Sequence, residues 1–408
     1  MRTVPIRKVT GWIVWTATVV TLPACTIRDH QPPIPSPLTA TATVPHTSWR
    51  PLHKGYADLS SGVYIREDDD LVVNTPIPIV LRRTYNSGDA HSRQFGMDAT
   101  HPGEWWIYGN SDPRVPWGDL ILADGGRIRF TRISPGETRE GAVLRHESTP
   151  TEFNGARLHW TGSMWQMTFR NGSTASFLDC HGLAKSCSLI ERRDPDGHTI
   201  TLARDGSGLL LRMESEGQSI AFDYDDRKRI VRAYDTSHEE VAYRYDGGGR
   251  LISATQSDGT ARRYGYDSRN HLIRIEEPGR IVENLFDDSG RWSHQVVKDS
   301  EVDPDPYIAT AHYVVANGSV VESHFDEGDG LNVRRYNLQR YIVSETLFAD
   351  SSTPVTFRYD LNPLSNASEE AAMSCTGPLG PVTREVQLTV HDDATKARAI
   401  QASCVLRR

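Results

Sequence analysis

The residues best equipped for chemistry are paired aromatics, clustered carboxylates and a few polar motifs. Phe222/Tyr224, Tyr243/Tyr245 and Tyr264/Tyr266 sit two positions apart, the period that puts both rings on one face of a strand. Such a ladder either packs ring against ring or, left open to solvent, stacks on the faces of sugars. Trp105 and Trp106 would join Tyr243, Tyr245, Tyr264 and Tyr266 in a sugar platform, although the spacing favours the packing role. Glu67 to Asp70 and Asp326-Glu327-Gly328-Asp329 carry enough charge to attract Ca²⁺. They lack the alternating ligand spacing of a calcium loop and read as solvated turns, so no metal site is expected.

Catalytic constellations are missing from the sequence. Gly206-Ser207-Gly208 is not a nucleophile elbow, which needs a further residue on each side of the serine. His238-Glu239-Glu240 begins like a zinc-protease helix, but Ala242 stands where the second histidine is required. No glycine-rich loop followed by Lys-Ser or Lys-Thr is present, and no cofactor is expected. Asp194-Pro195-Asp196-Gly197 reads as a turn. The chain is therefore expected to be no enzyme.

The elements that position these residues form a repeat. Phe222-Asp223-Tyr224-Asp225 is answered by Tyr243-Arg244-Tyr245-Asp246, Tyr264-Gly265-Tyr266-Asp267 and Leu285-Phe286-Asp287, with aspartates 21, 21 and 20 residues apart. Asp205 starts the series one unit earlier. Each aspartate caps a turn by accepting a hydrogen bond from the amide two residues on. Three residues on, Gly249, Asn270 and Gly290 suit a positive φ, whereas Lys228 breaks the rule and predicts mild strain or another turn. Strands such as Leu251 to Thr255 and Ala261 to Tyr266, joined by Ser257-Asp258-Gly259-Thr260, make each unit a β-hairpin. A lone hairpin is marginal in water, so the units must stack.

These residues resemble the YD repeats of bacterial RHS proteins. Tyr245-Asp246-Gly247-Gly248-Gly249-Arg250-Leu251 reproduces the YDxxGRL core of that family. Asp58-Leu59-Ser60-Ser61-Gly62, Arg83-Thr84-Tyr85-Asn86-Ser87, Phe95-Gly96 and Asp124 to Phe130 resemble the domain that precedes RHS repeats. The resemblance implies hairpins wound into a spiral sheet, which in long members closes around a toxic C-terminal segment. About four clear repeats are too few for a closed container, and the family's self-cleaving aspartyl core near the C-terminus is lacking.

The chain ends set the compartment. Arg2, Arg7 and Lys8 precede an apolar stretch from Val9 to Leu22, too short for a comfortable transmembrane helix. Leu22-Pro23-Ala24-Cys25 resembles the lipobox of bacterial lipoproteins, which implies cleavage before Cys25, its lipidation and outer-membrane sorting. Four other cysteines allow three pairings, of which 180–187 and 375–404 is the simplest: Cys180 with Cys187, Cys375 with Cys404. Disulfides fit an exported protein. Losing a leader with three basic and no acidic residues takes the formal charge from −8 to −11, which argues against nucleic acid as a partner.

The expected fold class is all-β, a curved antiparallel sheet of stacked YD-repeat hairpins with a small C-terminal strand–helix unit. Residues 1–24 read as a lipoprotein signal and 25–50 as a Pro/Thr-rich tether. An RHS-associated β domain (51–133), a connecting β segment (134–190), the repeats (191–300), degenerate repeats (301–366) and a disulfide-closed unit (367–408) follow. In the last of these, Ala394 to Ile400 has helical composition behind an Asp392-Asp393 cap. The functional expectation is a non-enzymatic envelope lipoprotein that scaffolds or binds a protein partner, such as an RHS effector or its export machinery. The alternative is a surface lipoprotein that binds a cell-surface glycan or peptidoglycan, with membrane attachment through lipid only.

Overall fold

The computed structural model describes residues 50–387 apart from 53–54, 90, 110–113, 124–125, 148–152, 180–186, 329, 338–341, 348, 350–354, 363–369 and 378–379. Cys25, Cys180 and Cys404, the leader, nearly all of the tether and the expected C-terminal helix lie outside the described residues. Among the described residues the chain is β throughout, broken by one 3-10 turn at Pro102–Glu104.

The first block is a hairpin with short attachments. β1 (Arg50–Leu52) pairs with β2 (Gly55–Ala57). β3 (Ile65–Val73) and β4 (Ile79–Asn86) form the long antiparallel pair. In a compact loop after it, β5 (Ser92–Arg93) pairs with β6 (Gly96–Met97), and β7 (Ala99–Thr100) adds to the edge of β4.

The second block closes on itself. β8 (Trp106–Gly109), β9 (Trp117–Ile121), β10 (Arg127–Arg132), β11 (Val143–Arg145), β12 (Arg157–Trp160), β13 (Trp165–Thr168) and β14 (Thr174–Phe177) pair in sequence as antiparallel neighbours, ending on β15 (Cys187–Arg193). Cys187 and Ser188 then pair with Ile107 and Trp106, so β15 returns to β8. Closure leaves no free edge in this ring and buries an interior of aromatic and aliphatic side chains, Phe130, Trp165 and Phe177 among them. The ring runs straight through the division expected at residue 133.

β15 is also the branch point. Its outgoing half, Glu191 to Arg193, pairs with β16 (Thr199–Arg204) and starts the repeat meander. That meander comprises β17 (Leu210–Ser215), β18 (Gln218–Tyr224), β19 (Ile230–Asp235), β20 (Glu240–Tyr245), β21 (Leu251–Gln256), β22 (Ala261–Tyr266), β23 (Leu272–Glu277), β24 (Arg280–Phe286) and β25 (Trp292–Lys298). Five further strands, β26 (Tyr307–Ala316), β27 (Ser319–Asp326), β28 (Asn332–Tyr336), β29 (Ile342–Leu347) and β30 (Val355–Asn362), prolong it as antiparallel neighbours. β31 (Glu370–Gly377) and β32 (Gly380–Gln387) end the described chain.

Burial explains the period. The first residue of each returning strand, Leu210, Ile230, Leu251, Leu272 and Trp292, is almost completely buried. Each such side chain contributes about 1.5–3 kcal/mol of transfer free energy. A register shift recurs just before each turn, at Asp223/Tyr224, Arg244/Tyr245, Gly265/Tyr266 and Leu285/Phe286. A bulge of this kind bends its strand and increases the local twist. Lys228 takes φ +62°, alongside +87° at Gly249, +70° at Asn270 and +80° at Gly290. The irregular residue therefore keeps the common turn, and the strain lies in its backbone rather than in a changed loop.

Candidate functional site at the docked hairpin

One repeat turn shows how the sequence positions its side chains. Asp246 Oδ1 accepts from the amide of Arg250 at 2.9 Å, and the Gly249 amide bonds the Asp246 carbonyl at 3.1 Å. Oδ2 accepts from Arg250 Nε at 2.6 Å. Thus held, the Arg250 guanidinium lies 5.3 Å from the ring centroid of Tyr266 in the next unit. Asp225 and Arg229 repeat the arrangement, with Arg229 over Tyr245 at 4.4 Å. In the following unit His271 takes the arginine's place and stacks on Phe286, with centroids 4.3 Å apart. The residue four after the aspartate therefore couples neighbouring units, a role that the turn chemistry alone did not reveal.

The second tyrosine of each pair ties its unit backwards. Tyr245 donates to the Ile230 carbonyl at 2.6 Å and Tyr266 to the Leu251 carbonyl at 2.8 Å. Phe286 has no hydroxyl, and Asn284 Nδ2 supplies the equivalent bond to the Leu272 carbonyl at 3.1 Å.

The first tyrosine of each pair meets the N-terminal hairpin. β3 packs against β18, β19 and β20. Tyr243 donates to Asp70 Oδ2 at 2.9 Å, and its ring meets Phe95 edge-on with centroids 4.9 Å apart. Tyr264 accepts from Arg83 Nη2 at 2.6 Å and donates to Asp68 Oδ2 at 3.3 Å. Arg83 also donates twice to Asp70, at 3.0 and 3.1 Å. Tyr243 is 3% exposed and Tyr264 6%. These rings face protein, so they offer no open face for a sugar, and the platform expected of them gives way to an internal docking surface.

The tryptophans separate in the same way. Trp105 is buried against Phe153, with the Arg192 guanidinium 5.0 Å from its ring. Trp106 is half-buried beneath Arg93. Adjacent residues of an extended chain point in opposite directions, so the pair cannot form one platform.

The carboxylates at 67–70 are not a solvated turn. They lie within β3, where Asp68 opposes Arg83 and Asp69 opposes Arg82. Burial pushes the Asp68 carboxyl up, but Arg66 and Arg83 outweigh it and hold the group at about 2. For Asp70 burial outweighs Arg83 and the carboxyl is raised. Burial likewise raises the Tyr243 and Tyr264 hydroxyls well above their ordinary range. The signal in the sequence was the facing pair Arg82-Arg83, thirteen residues beyond Asp69-Asp70.

The network extends outward along the sheet. Asp70 also accepts from Arg262 Nη1 at 3.2 Å. Glu277 accepts from Arg66 at 3.2 Å and from Arg280 at 3.0 Å, with Arg262 Nε 3.6 Å away. A pocket of about 290 Å³ lies here, lined by Ala254, Gln256, Thr260, Arg262, Glu277 and Arg280 with Pro278.

A second seam joins the loop at 89–104 to the repeat turns. Met97 donates its amide to the Gly249 carbonyl at 3.0 Å, and Ile230 donates to the Gln94 carbonyl at 2.7 Å. A Cβ on Gly96 would stand 2.3 Å from that Gly249 oxygen, so this close approach requires glycine. Burial, reinforced by Asp89, pushes Asp98 up to about 7, and burial does the same to Glu104. One oxygen of each, Asp98 Oδ1 and Glu104 Oε2, has no hydrogen-bond partner among the described residues. His101 is driven down to about 3 by burial and by Arg204.

The other polar motifs are turns. Asp194, Asp196 and His198 gather within metal-ligating distance of one another. Asp194 accepts from the His198 amide and ring at 2.8 Å each, the same contacts that Asp267 makes with His271, so this cluster is a repeat turn. His238 sits in a tight turn capped by Asp235, and Asp326 caps the turn at Gly328. Cys187 is buried where β15 meets β8.

Residues 57–130 match a family model described as a domain of unknown function (DUF6531). Residues 224–261 and 245–281 match the RHS repeat. No curated protein matches the chain. Among solved structures, a TcdB2-TccC3 crystal structure without its hypervariable C-terminal region aligns at 12% identity with a TM-score of 0.36, covering 79% of this chain and 22% of the other. A Photorhabdus luminescens Tc holotoxin pore aligns at 13% identity with a TM-score of 0.32, covering 81% and 19%. The chain spans about a fifth of the length of these proteins.

Proposed function

We propose that this RHS-repeat protein, which carries the domain preceding such repeats, is a non-enzymatic lipoprotein scaffold of the bacterial cell envelope that holds a protein partner. The observation that carries the reading is where its chemistry-bearing side chains go. Tyr243, Tyr264, Asp68, Asp70 and Arg83 bind one another between hairpin and repeats. Tyr245 and Tyr266 bond backbone carbonyls, and the turn aspartates hold their own amides. The inner face thus serves the fold, which leaves the outer face and the terminal strand edges for a partner.

In this reading Cys25 carries the lipid and places the chain at the outer membrane. Cys180–Cys187 and Cys375–Cys404 are its disulfides, and its partner is a larger RHS effector or the machinery that exports it. The test is co-expression of the full chain with an RHS effector, together with fractionation of wild type and C25S. Membrane recovery of the wild type, release of C25S and co-elution with the effector support the proposal. Release of both forms, or separate elution, overturns it.

A further inference from the structure

We infer that the outer face of β20, β21 and β22 docks a short, extended acidic segment of a protein partner on Arg244 and Arg263. The inference rests on the scaffold reading above and adds the chemistry of what is held. The strands that turn Tyr243 and Tyr264 inward to the hairpin turn their neighbours Arg244 and Arg263 outward, and both arginines are exposed. Ser253 stands between them: Arg244 pairs with Ser253 across β20 and β21, and Ser253 with Arg263 across β21 and β22. In the adjacent row Ala242, Thr255 and Ala261 pair in the same way, so small side chains keep this part of the face low.

Nothing on the chain neutralises this pair, which sets it apart from its surroundings. Elsewhere in β16 to β25, Arg212, Arg232, Arg262, Arg274, Arg280 and Lys298 each hold a carboxylate, and Arg204 holds backbone carbonyls. Glu276 pairs in register with Arg263 but accepts from Arg274 Nε at 2.8 Å. Arg244 and Arg263 have no hydrogen bond or ion pair among the described residues. Two interstrand steps set their Cα atoms about 10 Å apart. A single phosphate is too small to span two exposed guanidiniums at that separation. Carboxylates two residues apart in an extended chain lie about 7 Å apart on one side and come within reach of both. The formal charge of −8 on the whole chain disfavours a long polyanion, so the acidic run is short.

The test is fluorescence anisotropy of a labelled peptide of alternating glutamate and serine, titrated with the full chain at low salt. Binding should saturate, weaken as salt is raised and fall about tenfold in R244Q/R263Q, which loses two exposed ion pairs. R157Q/R170Q removes the same charge from exposed arginines outside the repeats and should leave the affinity near that of wild type. Circular dichroism and thermal melts that match wild type establish that both variants stay folded. No saturable binding, equal loss in the two double variants, or binding of inorganic polyphosphate through the pair in place of the peptide overturns the assignment. Co-elution with the RHS effector separates this inference from the scaffold reading. Equal co-elution of wild type and R244Q/R263Q overturns the docking face and leaves the scaffold standing. Peptide binding through the pair without co-elution of wild type overturns the scaffold and supports the face.

Discussion

Replacing Arg83 by methionine probes the seam between hairpin and repeats at its most connected residue. The side chain is buried and donates to Asp70 at 3.0 and 3.1 Å and to Tyr264 at 2.6 Å, with Asp68 3.4 Å away. Methionine keeps much of the volume and removes every donor. Asp68 retains Arg66, but Asp70 is left with Tyr243 at 2.9 Å and Arg262 at 3.2 Å. Removing one partner of a buried pair costs about 3–5 kcal/mol. That is a large fraction of the roughly 5–15 kcal/mol that holds a domain folded.

The pH dependence adds a signature. Burial already raises the Asp70 carboxyl, and without Arg83 it rises further. A carboxyl raised in the folded state favours folding fully below its unfolded value near 4 and loses that advantage as pH rises. The deficit of R83M should therefore be small near pH 4 and widen towards pH 7. Urea denaturation at both pH values measures it, and the double variant R83M/D70N should recover at least half of the loss at pH 7. A deficit at pH 7 under about 0.5 kcal/mol, or no recovery in the double variant, would refute the reasoning.

Three further outcomes are expected. Asp246→Ala removes a turn cap and the tether of Arg250, and should lower stability by about 1–2 kcal/mol in chemical denaturation, with most of the loss shared by R250A. Lys228→Gly relieves a side chain held at φ +62°, and after the entropy cost of glycine should raise stability by up to about 1 kcal/mol. Asp98 and Glu104, both raised to about 7, stabilise the loop at 89–104 most below pH 4 and lose that contribution as pH rises to 7. Hydrogen exchange at Met97 and Ile230, corrected for intrinsic rate, should be slower at pH 5.5 than at pH 8, with the difference diminished in D98N/E104Q.

The repeats were legible because their signals are local. An aspartate, a residue able to take positive φ and a buried aliphatic residue recur at fixed offsets, and the structure places each as the turn chemistry requires. Lys228 departs from the residue types that suit positive φ, yet it accepts the common turn instead of changing it. Long-range pairings were not legible. Nothing near Trp106 or Cys187 announces that their strands meet, because ring closure depends on the summed twist of eight strands. Asp68 and Asp70 look like solvent-exposed charge until Arg83 and two tyrosines almost two hundred residues away converge on them. The spacing of the tyrosine ladder suits packing, but the partner that Tyr243 and Tyr264 meet, the N-terminal hairpin, lies far away in sequence.

The central claim is that the first tyrosine of each repeat is an internal contact for that hairpin. Hydroxyl-radical footprinting of the intact protein, read by mass spectrometry at individual tyrosines, tests it most directly. Tyr243 and Tyr264 should label far more slowly than the more exposed Tyr234, and R83M should raise labelling at both without changing Tyr234. Labelling of Tyr243 and Tyr264 as fast as Tyr234 in the wild type would contradict the account.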